Sequence, residues 1–249
     1  MLRSRDDILR DITELILLHQ QGKLGGEKMP EDEHPPLDPS SAANYHYFTL
    51  PMALNYQRNS YALWESAHRT FNDPDTMDVF DPAAAAAMDA EELREKLLKH
   101  KVALQPNKQP AVWRTLCVTI MDQLDGDLRN LFLQNGNSVR RIKQHMMQHK
   151  KSFPYLGGDK IMNYWLYVME QYTDADFPDR ECITVAPDTH VLQSSAKLGI
   201  ITEEEAAGPK ARELAASRWE EMLQGSGLCP IDIHTPMWLW SRSKFAAPV

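Results

Sequence analysis

The stretch that decides the fold runs from Val139 to Val191, VRRIKQHMMQHKKSFPYLGGDKIMNYWLYVMEQYTDADFPDRECITVAPDTHV. It opens as a helical segment rich in cations, meets a tight Leu156-Gly157-Gly158 turn, and starts a second helix at Asp159-Lys160. A loop 28 residues after Lys160 carries Asp188-Thr189-His190. Two adjacent glycines before a helix leave backbone amides bare and able to approach an anion closely. In a helix–turn–helix hairpin such amides hold one DNA phosphate without reading sequence. Lys160 falls in the first turn of the following helix, whose positive end favours the neutral form of an ammonium. Each residue also has a plain structural reading: a lysine near a helix start is a common surface feature, and an aspartate before a helix usually caps it.

Around this stretch the chain has 249 residues, 43% of them hydrophobic, enough to bury a full core in one large domain or two small ones. No run of 18 apolar residues occurs, so no transmembrane helix is expected. The apolar residues near the N-terminus are interrupted by Asp6, Asp7, Asp11 and Glu14, the pattern of an amphipathic helix rather than a signal peptide. Cys117, Cys182 and Cys229 are too far apart for a zinc or iron–sulfur motif and odd in number for a disulfide framework, which predicts a reduced, cytoplasmic protein. The formal charge of −8 argues against a nucleic-acid binder. Its distribution softens that objection: residues 139–160 hold Arg140, Arg141, Lys143, Lys150, Lys151 and Lys160 against the single acid Asp159, and phosphate binding depends on a local patch. His145 and His149 stand four residues apart on one helix. Among so many lysines, solvent or phosphate contact suits them better than a metal.

Along the chain, apolar residues at three- and four-residue spacing predict a first helix ending at residue 21. A Pro-, Gly- and acid-rich linker or ordered loop follows over 22–44, and the main domain spans 45–249. Tyr45–Phe71 reads as two buried helical pieces joined by the polar junction Asn55–Ser60. Pro82 and the alanine run open a helix that continues through Lys101, with Met88, Leu93, Leu97 and Leu98 facing inward. Another helix spans Lys108–Leu124, buried through Val112, Trp113, Leu116, Ile120 and Met121. Residues 125–136 form a turn-rich link, and helices flank the glycine turn over 138–151 and 159–171. Further helices follow Asp188, Thr202 (a capping-box spacing) and Lys210. Strand-like alternation is nearly absent, so the fold class is all-α, with about ten helices.

The order of helix, glycine hairpin, lysine, loop, Pro-Asp-Thr-His-Val and helix resembles the helix-hairpin-helix DNA glycosylase superfamily. Gly158-Asp159-Lys160 matches its Gly-x-Lys. Pro187-Asp188-Thr189-His190-Val191 matches its Val-Asp-Thr-His-Val type of segment. Leu50–Gln57 resembles the family's apolar helix ending in a polar, Gln-containing turn. Cys229-Pro230-Ile231-Asp232-Ile233-His234 with Trp238 is similar to the end of the archaeal 8-oxoguanine glycosylase/lyase branch. The hairpin departs from the usual Leu-Pro-Gly-Val-Gly, and the iron–sulfur cysteines of the endonuclease III branch are missing.

The resemblance implies two helical subdomains flanking a cleft, and a DNA N-glycosylase with abasic-site lyase activity. Lys160 is then the nucleophile and Asp188 the carboxylate that activates it. Gln57, Arg58 and Asn59 would fill the gap left by a flipped nucleotide. Tyr164, Tyr167, His190, Asp232, His234 and Trp238 would line the base pocket, with Tyr164 and Trp238 sandwiching the base. Leu156, Gly157, Gly158, Lys150, Lys151, Arg140 and Arg141 would hold phosphate. No resident metal or organic cofactor is implied, a monovalent cation at the hairpin being the one ion the resemblance allows. The partner would be double-stranded DNA with a damaged or modified base, 8-oxoguanine first, bound by a monomer away from any membrane. Two other classes fit the same residues: a non-catalytic hairpin protein that only grips DNA, and a glycosidase for a free modified nucleoside or nucleotide.

Overall fold

Helix starts in this chain are set largely by side chains that accept from the amides of the first turn. The structure, a computed structural model, describes residues 3–24, 28–247 and 249, with every side chain among them except that of Asp159. The described residues form thirteen α-helices and four 3-10 turns and contain no strand, the all-α class expected. In order they are α1 (Arg5–Gln20), α2 (Ala42–Thr49), α3 (Ser60–Asn72), α4 (Pro82–Ala87), α5 (Ala90–Lys99), α6 (Lys108–Gln123) and α7 (Arg129–Gln134). Then come α8 (Val139–Gln148), α9 (Asp159–Tyr172), α10 (Thr189–Lys197), α11 (Glu203–Ala207), α12 (Ala211–Leu223) and α13 (His234–Arg242). Ser4, Ser41, Asn59, Asp81, Asp89, Ser138, Asp188 and Thr202 each cap the helix that follows. Such a cap contributes about 1 kcal/mol. No helix among the described residues is long and apolar enough to cross a membrane.

Two compact units result, one of residues 29–179 and one joining 1–28 to 180–249. In the larger unit, Tyr47 of α2 meets Trp64 and Phe71 of α3 and Phe80, Phe48 meets Trp64, and Phe80 meets Phe71 and Trp113, at ring distances of 5.3–5.9 Å. Two of its buried indoles find backbone or side-chain acceptors: Trp113 Nε1 donates to Val79 O at 2.8 Å and Trp165 Nε1 to Thr49 Oγ1 at 2.9 Å. Each pairing avoids the 1–3 kcal/mol, roughly, of an orphaned buried donor. In the smaller unit α10 packs on α13 and α12 and α1 packs on α13, with Ile8, Ile12 and Leu15 of α1 buried. There Trp219 Nε1 donates to Ser195 Oγ at 2.8 Å, and Ser194 Oγ donates to Met237 O at 2.7 Å.

The structure departs from the sequence reading at Met88, at Met121 and in the link over 125–136. The alanine helix stops at Met88, which is extended (φ −60°, ψ 147°), and Asp89 caps α5 anew. Met121, expected inside, is 36% exposed, whereas the turn-rich link contains α7 with Leu131 and Phe132 buried. The Pro-rich segment lies on the larger unit as an ordered loop, with Pro30, Glu31 and Pro35 buried. Its Gly25-Gly26 pair lies outside the described residues.

Candidate functional site

The glycine hairpin belongs to the larger unit. α8 ends at His149, whose N–H donates to His145 O at 3.0 Å, and the loop folds back beneath Phe153 and Leu156, both buried. Thr119 Oγ1 of α6 donates to Ser152 O at 3.0 Å and fixes the loop from below. A Cβ on Gly157 would lie 3.4 Å from Met146 O, in contact with the last turn of α8. The glycine amides are not bare, contrary to the simple reading of a Gly-Gly turn. Gly157 N–H donates to Phe153 O at 3.1 Å and Gly158 N–H to Tyr155 O at 3.2 Å. Leu156 is likewise turned inward, its N–H donating to Pro154 O at 2.8 Å. What the hairpin offers an anion is the start of α9 instead, where Gly158 is an N-cap without a side chain to occupy the first-turn amides.

Lys160 is exposed in that first turn. Tyr164 and Tyr167 follow it four and seven residues later, on the same helix face. Their rings lie 6.1 Å apart, and both are half-buried. Tyr164 Oη donates to Glu31 Oε2 at 3.0 Å, which anchors the ring. Burial of Glu31 pushes its carboxyl up to about 7, against the lowering effect of its own backbone N–H and the Tyr164 and Trp64 side chains. Burial, with Glu31 beside it, also holds the Tyr164 phenol well above its ordinary value.

The cations expected to grip phosphate do not form one patch. Lys150 and Lys151 are exposed just beyond the C-terminal end of α8, next to the hairpin loop. Arg140 and Arg141 occupy its first turn, a helix length of about 15 Å away. The Arg141 guanidinium rests against Gly136, and Asp179 stands at the same turn, accepting from Ser138 Oγ at 2.7 Å and from the Val139 and Arg140 N–H groups at 2.7 and 3.2 Å. Burial acts to raise the Asp179 carboxyl, but these hydrogen bonds outweigh it and hold the group below its usual range.

The polar junction splits by role. Arg58 donates to Val102 O at 2.7 Å and Lys101 O at 3.1 Å, so its guanidinium closes the turn after α5 rather than reaching outward. Asn59 Oδ1 accepts from Ala62 N–H at 3.1 Å as the cap of α3. Gln57 is the exposed tip, with φ +52°.

Asp188 belongs to the smaller unit, so the lysine and the aspartate stand on different units. Its Oδ1 accepts from Val191 N–H at 3.0 Å, capping α10, and its Oδ2 accepts from Trp238 Nε1 at 3.1 Å. Trp238 is itself held between neighbours. The His190 ring meets it edge-on at 5.5 Å, and the Arg242 guanidinium lies 5.1 Å from its centre. His190 Nδ1 is 3.0 Å from Ser241 Oγ, which donates to Gln193 Oε1 at 2.7 Å. The indole expected to stack on a base therefore spends its N–H on the carboxylate. Asp232 accepts from Cys229 N–H at 2.8 Å and pairs with Arg180 at 2.6 Å, while His234 is buried at the start of α13.

Among the described residues, no group of three or more His, Cys, Asp or Glu side chains stands close enough to hold a metal. Sequence reasoning passed over Glu31, because an acid in a proline-rich stretch carries no burial signal, and over Tyr56, Lys108 and Tyr155, which meet only through tertiary structure. Compared with models of known protein families and with curated protein sequences, the chain matches none.

Proposed function

We propose that the chain is a base-excision DNA glycosylase with abasic-site lyase activity, 8-oxoguanine being the leading candidate base. The observation that carries this reading is the setting of Lys160: exposed behind a side-chain-free N-cap, and on the face of α9 that continues through Tyr164 and Tyr167. Asp188 supports it as a carboxylate oriented through both oxygens, by its own helix and by Trp238.

A base inside a duplex is out of reach, so the nucleotide is flipped at a cost of a few kcal/mol. The Lys160 amine then attacks C1′, the glycosidic C–N bond breaks, and the base departs with a proton. Asp188 takes the proton that Lys160 Nζ gives up and steadies the positive charge developing on the sugar. Ring opening yields a Schiff base between Nζ and C1′. Loss of a C2′ proton expels the 3′ phosphate, and water releases Lys160. Because Lys160 is exposed, the dry surroundings that favour a neutral amine come on this reading from the bound DNA.

Borohydride reduction of a reacting mixture traps the Schiff base as a covalent protein–DNA adduct, expected in the wild type and lost in Lys160→Ala. Asp188→Asn is expected to slow base release by about 100-fold or more with duplex binding retained. An adduct that persists in Lys160→Ala defeats the assignment, and full activity in Asp188→Asn leaves that residue only its cap. Duplexes carrying 8-oxoguanine, uracil, oxidised pyrimidines or hypermodified bases, run beside the free nucleosides, identify the substrate.

A further inference from the structure

Two loops of the larger unit carry left-handed backbone at, or next to, residues whose rings stack on each other. Tyr155, in the hairpin, has φ +62°, and Gln57, at the tip of the polar junction, has φ +52°. Both lie in the left-handed region, which a residue with a Cβ adopts only under constraint. A glycine at 155 would adopt this conformation freely and remove the ring. The ring is used: Tyr56, next to Gln57, stacks on Tyr155 with centroids 4.1 Å apart and planes within 11°. Lys108, the first residue of α6, places its Nζ 4.9 Å from the Tyr155 centroid and 5.5 Å from that of Tyr56. Both rings are half-buried and Lys108 is exposed. Three segments distant in sequence are thereby joined at one place. Arg58 and Asn59 are tied to the protein, so Gln57 is the part of the junction left to meet a partner.

We propose that Lys108, Tyr155 and Tyr56 form a DNA clamp, in which the stack fixes the Gln57 tip to the hairpin and Lys108 contacts a backbone phosphate of the same duplex. The inference rests on the glycosylase reading and extends it. A probe that enters the gap left by a flipped nucleotide works only if it is held in register with the phosphate grip, and the stack supplies that register. Tyr155 is a positioning residue: it acts through Gln57. Lys108, held at the edge of the stacked pair by its hydrogen bond to Tyr155, is exposed and places its charge at the surface, where a phosphate can reach it.

The test uses the full chain and the variants Tyr155→Ala, Tyr155→Phe and Lys108→Gln. Three quantities are measured: base release from a lesion duplex, cleavage of the same duplex carrying a pre-formed abasic site, and the salt dependence of binding to undamaged duplex. Tyr155→Ala is expected to lower the ratio of base release to abasic cleavage about tenfold or more, because a lost register penalises flipping most. Tyr155→Phe, which keeps the ring, restores the ratio. Lys108→Gln is expected to reduce the slope of log affinity against log salt by about 0.9, one phosphate contact. An unchanged ratio in Tyr155→Ala, a Phe variant that behaves like Ala, or an unchanged salt slope overturns the clamp. A wild-type chain that binds duplex but releases no base from any lesion refutes the glycosylase reading instead, and the Lys108 slope still decides the phosphate contact.

Discussion

Replacing Glu31 by Gln removes a charge that the larger unit is poorly built to hold. Glu31 is 1% exposed; Tyr164 Oη donates to Oε2, and the donors around the carboxylate offset its burial only in part. The buried Tyr47 Oη lacks a hydrogen-bond partner. Burial raises the carboxyl from 4.5 to about 7, which corresponds to roughly 3 kcal/mol of differential stability between its two protonation states. The folded chain thus holds this proton more tightly than the unfolded one. Stability from Glu31 is complete below 4.5, declines as pH rises, and is lost above about 7. The titratable groups around it are Asp32 on its own segment, Tyr47 of α2, and Tyr164 and Tyr172 of α9. The three phenols are all pushed upward by burial, so they stay protonated throughout, and Asp32 is common to both proteins. A glutamine keeps the shape, accepts from Tyr164 and cannot ionise. Urea unfolding of wild type and Glu31→Gln, followed by tryptophan fluorescence at pH 5 and pH 8, isolates the effect as a difference in which other titrations cancel. The variant is expected to gain on the wild type by about 3 kcal/mol between the two pH values. A difference that stays flat across that range refutes the buried-charge reasoning.

Two further substitutions probe the rest of the molecule. Trp238→Phe removes the N–H that Asp188 Oδ2 accepts and keeps the ring packed on His190, so base release should fall about tenfold with lesion-duplex affinity unchanged. Weakened binding or altered lesion preference would show that the indole acts on the base. His46 is pushed down to about 4 by burial, with Asp127 and Asp81 opposing, so its contribution to stability is complete above pH 6.5 and drains away as pH falls toward 4. His46→Gln should flatten the acid limb of the stability curve by roughly 2 kcal/mol in urea titrations at pH 4.5 and 6.5, and an unaltered limb would assign acid lability elsewhere.

The helices were readable because their signals are local. Ser138, Asp188 and Thr202 announce caps at the position itself, and the apolar spacing of Ile8, Ile12 and Leu15 needs no distant partner to be recognised. The polar residues proved harder for a physical reason: a side chain that looks available in sequence is often already engaged by nearby backbone. Arg58 serves two carbonyls, Asn59 an amide, and the two hairpin glycines donate within their own loop. Glu31 errs in the other direction, its acidic neighbours Asp32 and Glu33 giving the segment the composition of a solvated linker while the side chain itself is buried. Asp188 shows why capping and chemistry need not compete. Capping uses Oδ1 and fixes the carboxylate plane, and Trp238 then holds Oδ2 in a set direction. A carboxylate anchored in this way has little conformational freedom left to lose when a sugar cation develops beside it, which is the condition for electrostatic stabilisation without reorganisation. The same hydrogen bonds that explain Asp188 as a cap therefore also prepare it for the role proposed, and only its substitution by Asn, which keeps the cap and discards the charge, separates the two.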